Sequence, residues 1–311
     1  MRELGVVETP LVRLDAIAPP GRKIYAKAEW HQPTGSVKDR VAAAMIAAAE
    51  ADGLLSPSTR LVEPSSGNTG IALARIARLL GIPLTVLVPD DVSRERIDLL
   101  SAFGAEVVFT PGAEGSNGAV RRAELRAAES GELMLHQYEN RANPDAHRLT
   151  TGAEIAWQLE ELGEPAPAMF VASLGTGGTV MGAGAALRLT YPDITIVAAE
   201  PPAGEAISGL RTMADGYQPP IFDPAAIDGR ALVRTGPAIA MTRRLLAEEG
   251  LFVGPSSGAA AHVAVKRAAS LPEGSVVVTL FPDAGWKYLS TGVFSGTQEE
   301  AEAATDGVTL W

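Results

Sequence analysis

The stretch RLVEPSSGNTGIALARIARLLGIPLTVLVP, residues 60–89, carries the signature that decides the fold. An apolar run at 60–63 stops at a Pro-Ser-Ser-Gly turn, a helical pattern occupies 68–80, and a second apolar run follows at 84–89. Short apolar runs bounded by turn residues read as buried strands, and helical periodicity between two of them reads as a crossover to a parallel neighbour. The same rhythm extends outward. Further strands are predicted at 106–109, 169–173, 194–200 and 275–280. Further helices are predicted at 38–52, 93–103, 116–129, 145–162, 178–190, 236–249 and 257–269. This alternation specifies an α/β protein with parallel sheets flanked by helices. Residues 201–235 have weak periodicity, and so long a connection in a compact domain is often functional.

Bulk properties narrow the function classes. The 311 residues carry 26 Lys and Arg against 37 Asp and Glu, a formal net charge of −11. That acidity disfavours a general nucleic-acid surface or an anionic membrane partner, and it obliges any anion site to be built locally. With no cysteine, the chain has no disulfide, thiolate nucleophile or cysteine-ligated metal. The N-terminal MRELGVVETPLVRLD lacks the apolar core of a signal peptide, and no apolar run is long enough to span a bilayer, so a soluble cytoplasmic protein is expected.

Three turns sit at helix starts, the first two of them directly after a strand. In EPSSGNTG (63–70) the unpaired N–H groups of the helix start and the hydroxyls form a cradle for a carboxylate or phosphate, although, taken alone, ordinary helix capping is the better account of Ser and Asn there. In SLGTGGTVMGAG (173–184) the backbone of Gly175, Thr176, Gly177 and Gly178, with the Thr176 and Thr179 hydroxyls, suits a phosphate on a helix dipole. The ATP-binding glycine-lysine signature is absent. A dinucleotide fingerprint starting at Gly182 meets Leu187 where its third glycine belongs, although Glu200 closes the next strand; a nicotinamide-dependent oxidoreductase therefore stays as the alternative. In VGPSSGAAAHVAV (253–265) Ser256 and Ser257 open another helix, and a hydrolase elbow there would want a later Asp and His that the chain does not supply in order. The histidines at 31, 136, 147 and 262 show no metal-ligand spacing. A fourth turn, QPTGSVKDR (32–40), places Lys38 at the mouth of an alanine-rich helix.

In this order and spacing, PTGSVKDR, EPSSGNTGIALA, GTGGTVMGAG and SSGAAA resemble the pyridoxal-phosphate enzymes of the cysteine synthase and cystathionine β-synthase group, fold type II. The resemblance covers essentially the whole chain. It extends to HQYENRANPDAH (136–147) and DAGWKYLSTGVFSG (283–296), the latter most similar to the phosphoserine-using cysteine synthases, or O-phosphoserine sulfhydrylases. The resemblance implies two α/β domains, a smaller one at 36–145 inserted into a larger one formed by 1–35 plus 146–311, with the cofactor between them. It also implies a transferase making L-cysteine from O-phospho-L-serine and a sulfur donor through an α-aminoacrylate. The donor would be sulfide, thiosulfate or a small thiocarboxylated carrier protein, and the assembly a homodimer. Carried over residue by residue, Lys38 forms the internal aldimine with pyridoxal 5'-phosphate. Asn68 binds the ring hydroxyl, Gly175, Thr176, Gly177, Gly178 and Thr179 hold the phosphate, and Ser256 faces the pyridine nitrogen. Ser65, Ser66, Gly67 and Thr69, with Gln137, bind the substrate carboxylate. Ser65 stands where many relatives have threonine, and Pro255 where many have isoleucine.

The residue types suit this chemistry. A lysine amine loses its proton readily when desolvated, which makes it a Schiff-base former and then a base. A neutral hydroxyl at Ser256 gives a shallower electron sink than a carboxylate would, enough when a Cβ leaving group departs as the α-proton is removed. A phosphate leaving group in an acidic protein needs a local guanidinium. Arg211, in ISGLRTMADGYQPP (207–220), is the candidate reader, with Arg230 and Arg234 weaker ones. The resemblance further implies that the end of the chain, Leu310 and Trp311, folds over the site. Rival readings are an O-acetylserine sulfhydrylase or another β-replacement enzyme, and, in another class, a non-catalytic binding protein, against which the presence of Lys38 speaks.

Overall fold

The computed structural model describes residues 2–65, 67–90, 92–297 and 299–300. In chain order the first half contains β1 (Leu11–Leu14), β2 (Lys23–Ala28), α1 (Lys38–Ala51), β3 (Leu61–Glu63), α2 (Asn68–Leu80), β4 (Leu84–Pro89), α3 (Arg94–Ala102), β5 (Glu106–Thr110) and α4 (Gly115–Ser130). The second half contains α5 (Ala142–Ala146), α6 (Gly152–Glu161), β6 (Met169–Ser173), α7 (Gly178–Thr190), β7 (Thr195–Glu200), β8 (Gly229–Leu232), α8 (Thr235–Glu249), α9 (Pro255–Ala268) and β9 (Val276–Phe281). The strands form two sheets, one of order β1-β2-β9-β6-β7-β8 and one of order β3-β4-β5. Only β1, which pairs antiparallel with β2, departs from parallel pairing. The strands of the smaller sheet all lie between residues 36 and 145, and those of the larger sheet all lie outside that span. The α/β architecture with parallel-rich sheets is the one the alternating pattern specifies.

The longer apolar runs became strands because both of their faces are covered, whereas β5, at the edge of the smaller sheet, stays partly exposed. Every residue of β4 (LTVLVP) and β9 (VVVTLF) is buried, as expected for parallel strands under helices on both sides. Helices α1, α2, α7 and α9 begin at or within two residues of their expected starts. The helix expected at 145–162 is interrupted. It starts at Ala142, passes through a π-helical turn at His147–Thr151 and resumes as α6. Such turns occur at functional sites, and this one turns His147 toward the first turn of α7, its Nε2 lying 3.2 Å from Thr179 Oγ1. The close fit of α7 onto this segment explains two glycines. A Cβ at Gly182 would stand 2.0 Å from the Pro144 carbonyl oxygen, and one at Gly152 would stand 2.6 Å from Ala186 Cβ.

Strands β1, β2 and β8 are not legible as apolar runs. β2 reads KIYAKA, and its Lys27 is fully buried only because Nζ meets Glu154 Oε2 at 2.7 Å and the Thr9 carbonyl at 2.6 Å. β8 is a four-residue edge strand whose residues alternate between half-buried and exposed. Among the described residues no helix is long and apolar enough to cross a membrane.

Candidate active site

Parallel strands present their carboxyl ends along one edge, and ligands of such sheets bind beyond that edge. Here the cleft is lined by the carboxyl end of β4, at Pro89, and by the turns that follow β3, β6 and β9, contributing Pro64 and Ser65, Gly175 to Gly177, and Pro282 with Asp283. Four helices, α1, α2, α7 and α9, also start at this cleft, through Lys38, Asn68, Thr179 and Ser256. The positive ends of four helix dipoles thus converge on one space inside a protein of net charge −11, an arrangement suited to an anion.

The cleft gathers twelve of the expected site residues: Lys38, Ser65, Gly67, Asn68, Thr69, Gln137, Gly175, Thr176, Gly177, Thr179, Arg211 and Ser256. Gly178 stands behind the wall. Its N–H donates to Thr176 Oγ1 at 3.2 Å, and a Cβ there would fall 1.9 Å from Asn143 Oδ1. Ser66 and the terminal pair Leu310 and Trp311 lie outside the described residues. The weaker arginine candidates are engaged elsewhere. Arg230 pairs with Glu200 at 3.0 Å, and Arg234 pairs with Glu205 at 3.5 Å. Glu200 also accepts from the Met213 N–H, and Gly182 faces the α5 segment, so neither residue of the dinucleotide alternative meets the cleft.

Lys38 is half-buried because it opens only onto the cleft, and among the described residues its amine makes no hydrogen bond or ion pair. Desolvation lowers its pKa to about 8, against the upward pull of Asp283. The unprotonated, nucleophilic form is therefore scarce below pH 8 and dominant above it, whereas an ordinary lysine needs a pH near 10.5. Capture of a pyridoxal aldehyde by cofactor-stripped protein, followed by stopped-flow absorbance, is expected to accelerate with a midpoint near pH 8. A midpoint above pH 10 would contradict this environment.

The loop after β6 is shaped by sterics. Gly177 adopts φ +89°, in the left-handed region that glycine tolerates, and a Cβ on Gly175 would approach the Gly209 carbonyl oxygen to 2.8 Å. Asn143, which sequence reading did not single out, braces this loop. Its Nδ2 donates to the Gln137 carbonyl at 2.8 Å and to Thr176 Oγ1 at 3.0 Å. On the opposite wall, Ser65 Oγ accepts from the Gly70 N–H at 3.1 Å, leaving its own proton to donate. Thr69 Oγ1 donates to Gln137 Oε1 at 2.6 Å, so the Gln137 amide nitrogen is left as a donor. Its predecessor His136 holds φ 56°, a left-handed turn that directs the segment into the cleft. Ser256 is buried, lines the cleft and makes no side-chain hydrogen bond among the described residues.

Arg211 lies at the cleft with its guanidinium 4.6 Å from the Tyr217 ring centre and 5.2 Å from that of Tyr138. Two aromatic faces flank the planar cation and hold it at the cleft. The tyrosines were legible only as core filling, since 73 residues separate Arg211 from Tyr138 and nothing local marks the pairing. Asp283 and Lys287 also escaped single notice, although they sit four residues apart in the DAGWKY stretch.

These features fit pyridoxal phosphate. The Gly175–Gly177 backbone lines the cleft with glycines where a Cβ would collide, and an amine and a hydroxyl that have no side-chain partner among the described residues face the same cleft. A family model described as pyridoxal-phosphate dependent enzyme matches residues 2–283. A probable cysteine synthase of Bacillus subtilis (strain 168) is 46% identical over 297 residues, spanning 93% of this chain and 95% of the relative. A cysteine synthase of Staphylococcus aureus (strain Mu50) is 42% identical over 295 residues, spanning 92% and 94%. The crystal structure of an O-ureido-L-serine synthase superposes with a TM-score of 0.89 at 38% identity, covering 94% of this chain and 95% of that one.

Proposed function

The chain belongs to the pyridoxal-phosphate-dependent enzyme family, and from that premise we propose that it forms L-cysteine by β-replacement on O-phospho-L-serine with a sulfur donor. The observation that carries this reading is the meeting of Lys38 with the 175–177 backbone and Arg211 in one cleft. When bound, the cofactor supplies an electron-withdrawing ring that acidifies the substrate's Cα–H and eases departure of the Cβ substituent. Lys38 would hold the cofactor's aldehyde carbon and afterwards carry the Cα proton, its lowered pKa fitting both tasks near neutral pH. The Gly175–Thr179 stretch would hold the cofactor phosphate, Asn68 its ring hydroxyl and Ser256 its pyridine nitrogen. Ser65, Gly67, Thr69 and Gln137 would bind the amino-acid carboxylate, the Gln137 nitrogen being the donor that the Thr69 contact frees.

The phosphoserine preference rests on Arg211. A phosphate leaving group gains charge as it departs, and a guanidinium held at the cleft between two tyrosines would offer it a charge-assisted contact. Arg211→Ala is expected to lower kcat/KM for O-phosphoserine by about 10²-fold or more while changing O-acetylserine turnover by less than about threefold, as loss of one charge-assisted contact implies. Steady-state kinetics with both donors checks this, and equal losses on both would refute the phosphate-selective role. The division at 36–145 and 1–35 plus 146–311, the homodimer and a thiocarboxylated carrier as sulfur source belong to the same proposal. The first draws support from the separation of the strands into two sheets across those boundaries.

A further inference from the structure

Behind Asn68 lies a buried set of polar groups that the reaction does not itself use. Lys287 Nζ donates to Asn68 Oδ1 at 2.6 Å, Asn68 Nδ2 donates to Asp283 Oδ2 at 2.7 Å, and the Tyr288 hydroxyl donates to the same Asp283 oxygen at 2.5 Å. Lys287, Asp283 and Tyr288 are each about 1% exposed, and Lys287 does not line the cleft. The contact joins the 285–291 segment, which follows β9 of the larger sheet, to the first residue of α2, which follows β3 of the smaller one.

A carboxamide can present either its oxygen or its nitrogen to a given neighbour, and the difference matters at a cofactor. Lys287 as an ammonium has donors only, so it selects Oδ1. Asp283 as a carboxylate accepts only, so it selects Nδ2. Together they remove the flipped orientation, in which both contacts would face like groups. The amide then reaches the cleft side as a donor, the polarity that an acidic ring hydroxyl of a bound cofactor requires. The 285–291 segment is itself held against the smaller sheet's unit, since Ser290 donates through N and Oγ to the Glu95 carboxylate on α3 at 2.7 and 2.6 Å. Lys287 is additionally packed 5.3 Å from the Trp286 ring centre. Burying a lysine stem and its charged end here is costly unless the contact is used.

We propose that Lys287 is a positioning residue for the cofactor, acting through Asn68 by fixing its amide with the nitrogen toward the ring hydroxyl. The proposal rests on the reading of Asn68 as a cofactor contact, and a double-mutant cycle separates the two. Pyridoxal phosphate affinity is read by absorbance titration of cofactor-stripped wild type, Lys287→Met, Asn68→Ala and the double variant. Lys287→Met is expected to weaken binding about tenfold, the range for groups that orient a ligating side chain. Lys287→Gln, which keeps an N–H donor, is expected to recover most of that loss, and Lys287→Leu, which also lacks a donor, serves in the cycle should the methionine variant not fold. Asn68→Ala is expected to weaken binding at least as much, with no further loss when Lys287→Met is added. Losses that multiply in the double variant, or an unchanged affinity in Lys287→Met, overturn the positioning role alone. Wild-type affinity in Asn68→Ala overturns the cofactor reading of Asn68 and the Lys287 proposal with it.

Discussion

Lys38→Ala is expected to lose turnover by about 10⁴-fold or more, because in the proposed reaction one amine would serve as both the covalent anchor and the proton carrier at Cα. Among the described residues no second group is placed to take over. Among the cleft-lining residues the other titratable groups are Tyr138, Arg211 and Asp283. Burial raises the Tyr138 hydroxyl above its ordinary range, Arg211 is a permanent cation, and Asp283 already accepts from Asn68 and Tyr288. Activity assays of the purified variant test the loss. Borohydride treatment of loaded wild type followed by peptide mass analysis should find the reduced cofactor on the peptide containing position 38. An adduct on a different lysine, or turnover within tenfold of wild type, would end the assignment.

The second large effect concerns stability. Two residues beyond Lys38 on α1, the buried Arg40 guanidinium binds Glu29 through Nε at 2.8 Å and Nη2 at 2.9 Å. It binds Glu154 on α6 through Nη1 at 2.6 Å and Nη2 at 2.7 Å. Glu29 is fully buried, accepts from Thr9 Oγ1 at 2.7 Å, and has no other cation paired with it among the described residues. Removing one partner of such a pair leaves a buried charge uncompensated, at a cost of about 3–5 kcal/mol. Arg40→Met is therefore expected to move the urea midpoint sharply downward. Arg40→Met combined with Glu29→Met, which leaves no orphan at that position, should recover a substantial part. A midpoint within error of wild type in the single variant would show that the pairing contributes nothing net. The arrangement also ties the helix that carries Lys38 to both the β2 end and α6, so the reactive amine stands on an anchored element.

Much of the site was legible because its parts are local. The turn before α7 needs Gly177 at φ +89°, a constraint met within three residues, and the starts of α1, α2, α7 and α9 follow from glycine and hydroxyl turns meeting helical periodicity. The strand at β2 was not legible, because Lys23 and Lys27 break the apolar run, and only Glu154, far along the chain, explains a lysine there. The π-helical turn at His147–Thr151 likewise answers to α7 packing against it, not to its own sequence. Tyr138 and Tyr217 read as core until Arg211 was seen between them.

From the chain alone came the α/β alternation, the glycine collar at 175–178 and the amine at 38, each a consequence of contacts between residues a few positions apart. The tertiary structure decided which helix starts face one another and which buried charges find partners, as when Lys287 meets Asn68 across 219 positions. Desolvation and Coulomb energy depend on neighbours in space, and a lysine that is costly in one surrounding becomes an ordered donor in another.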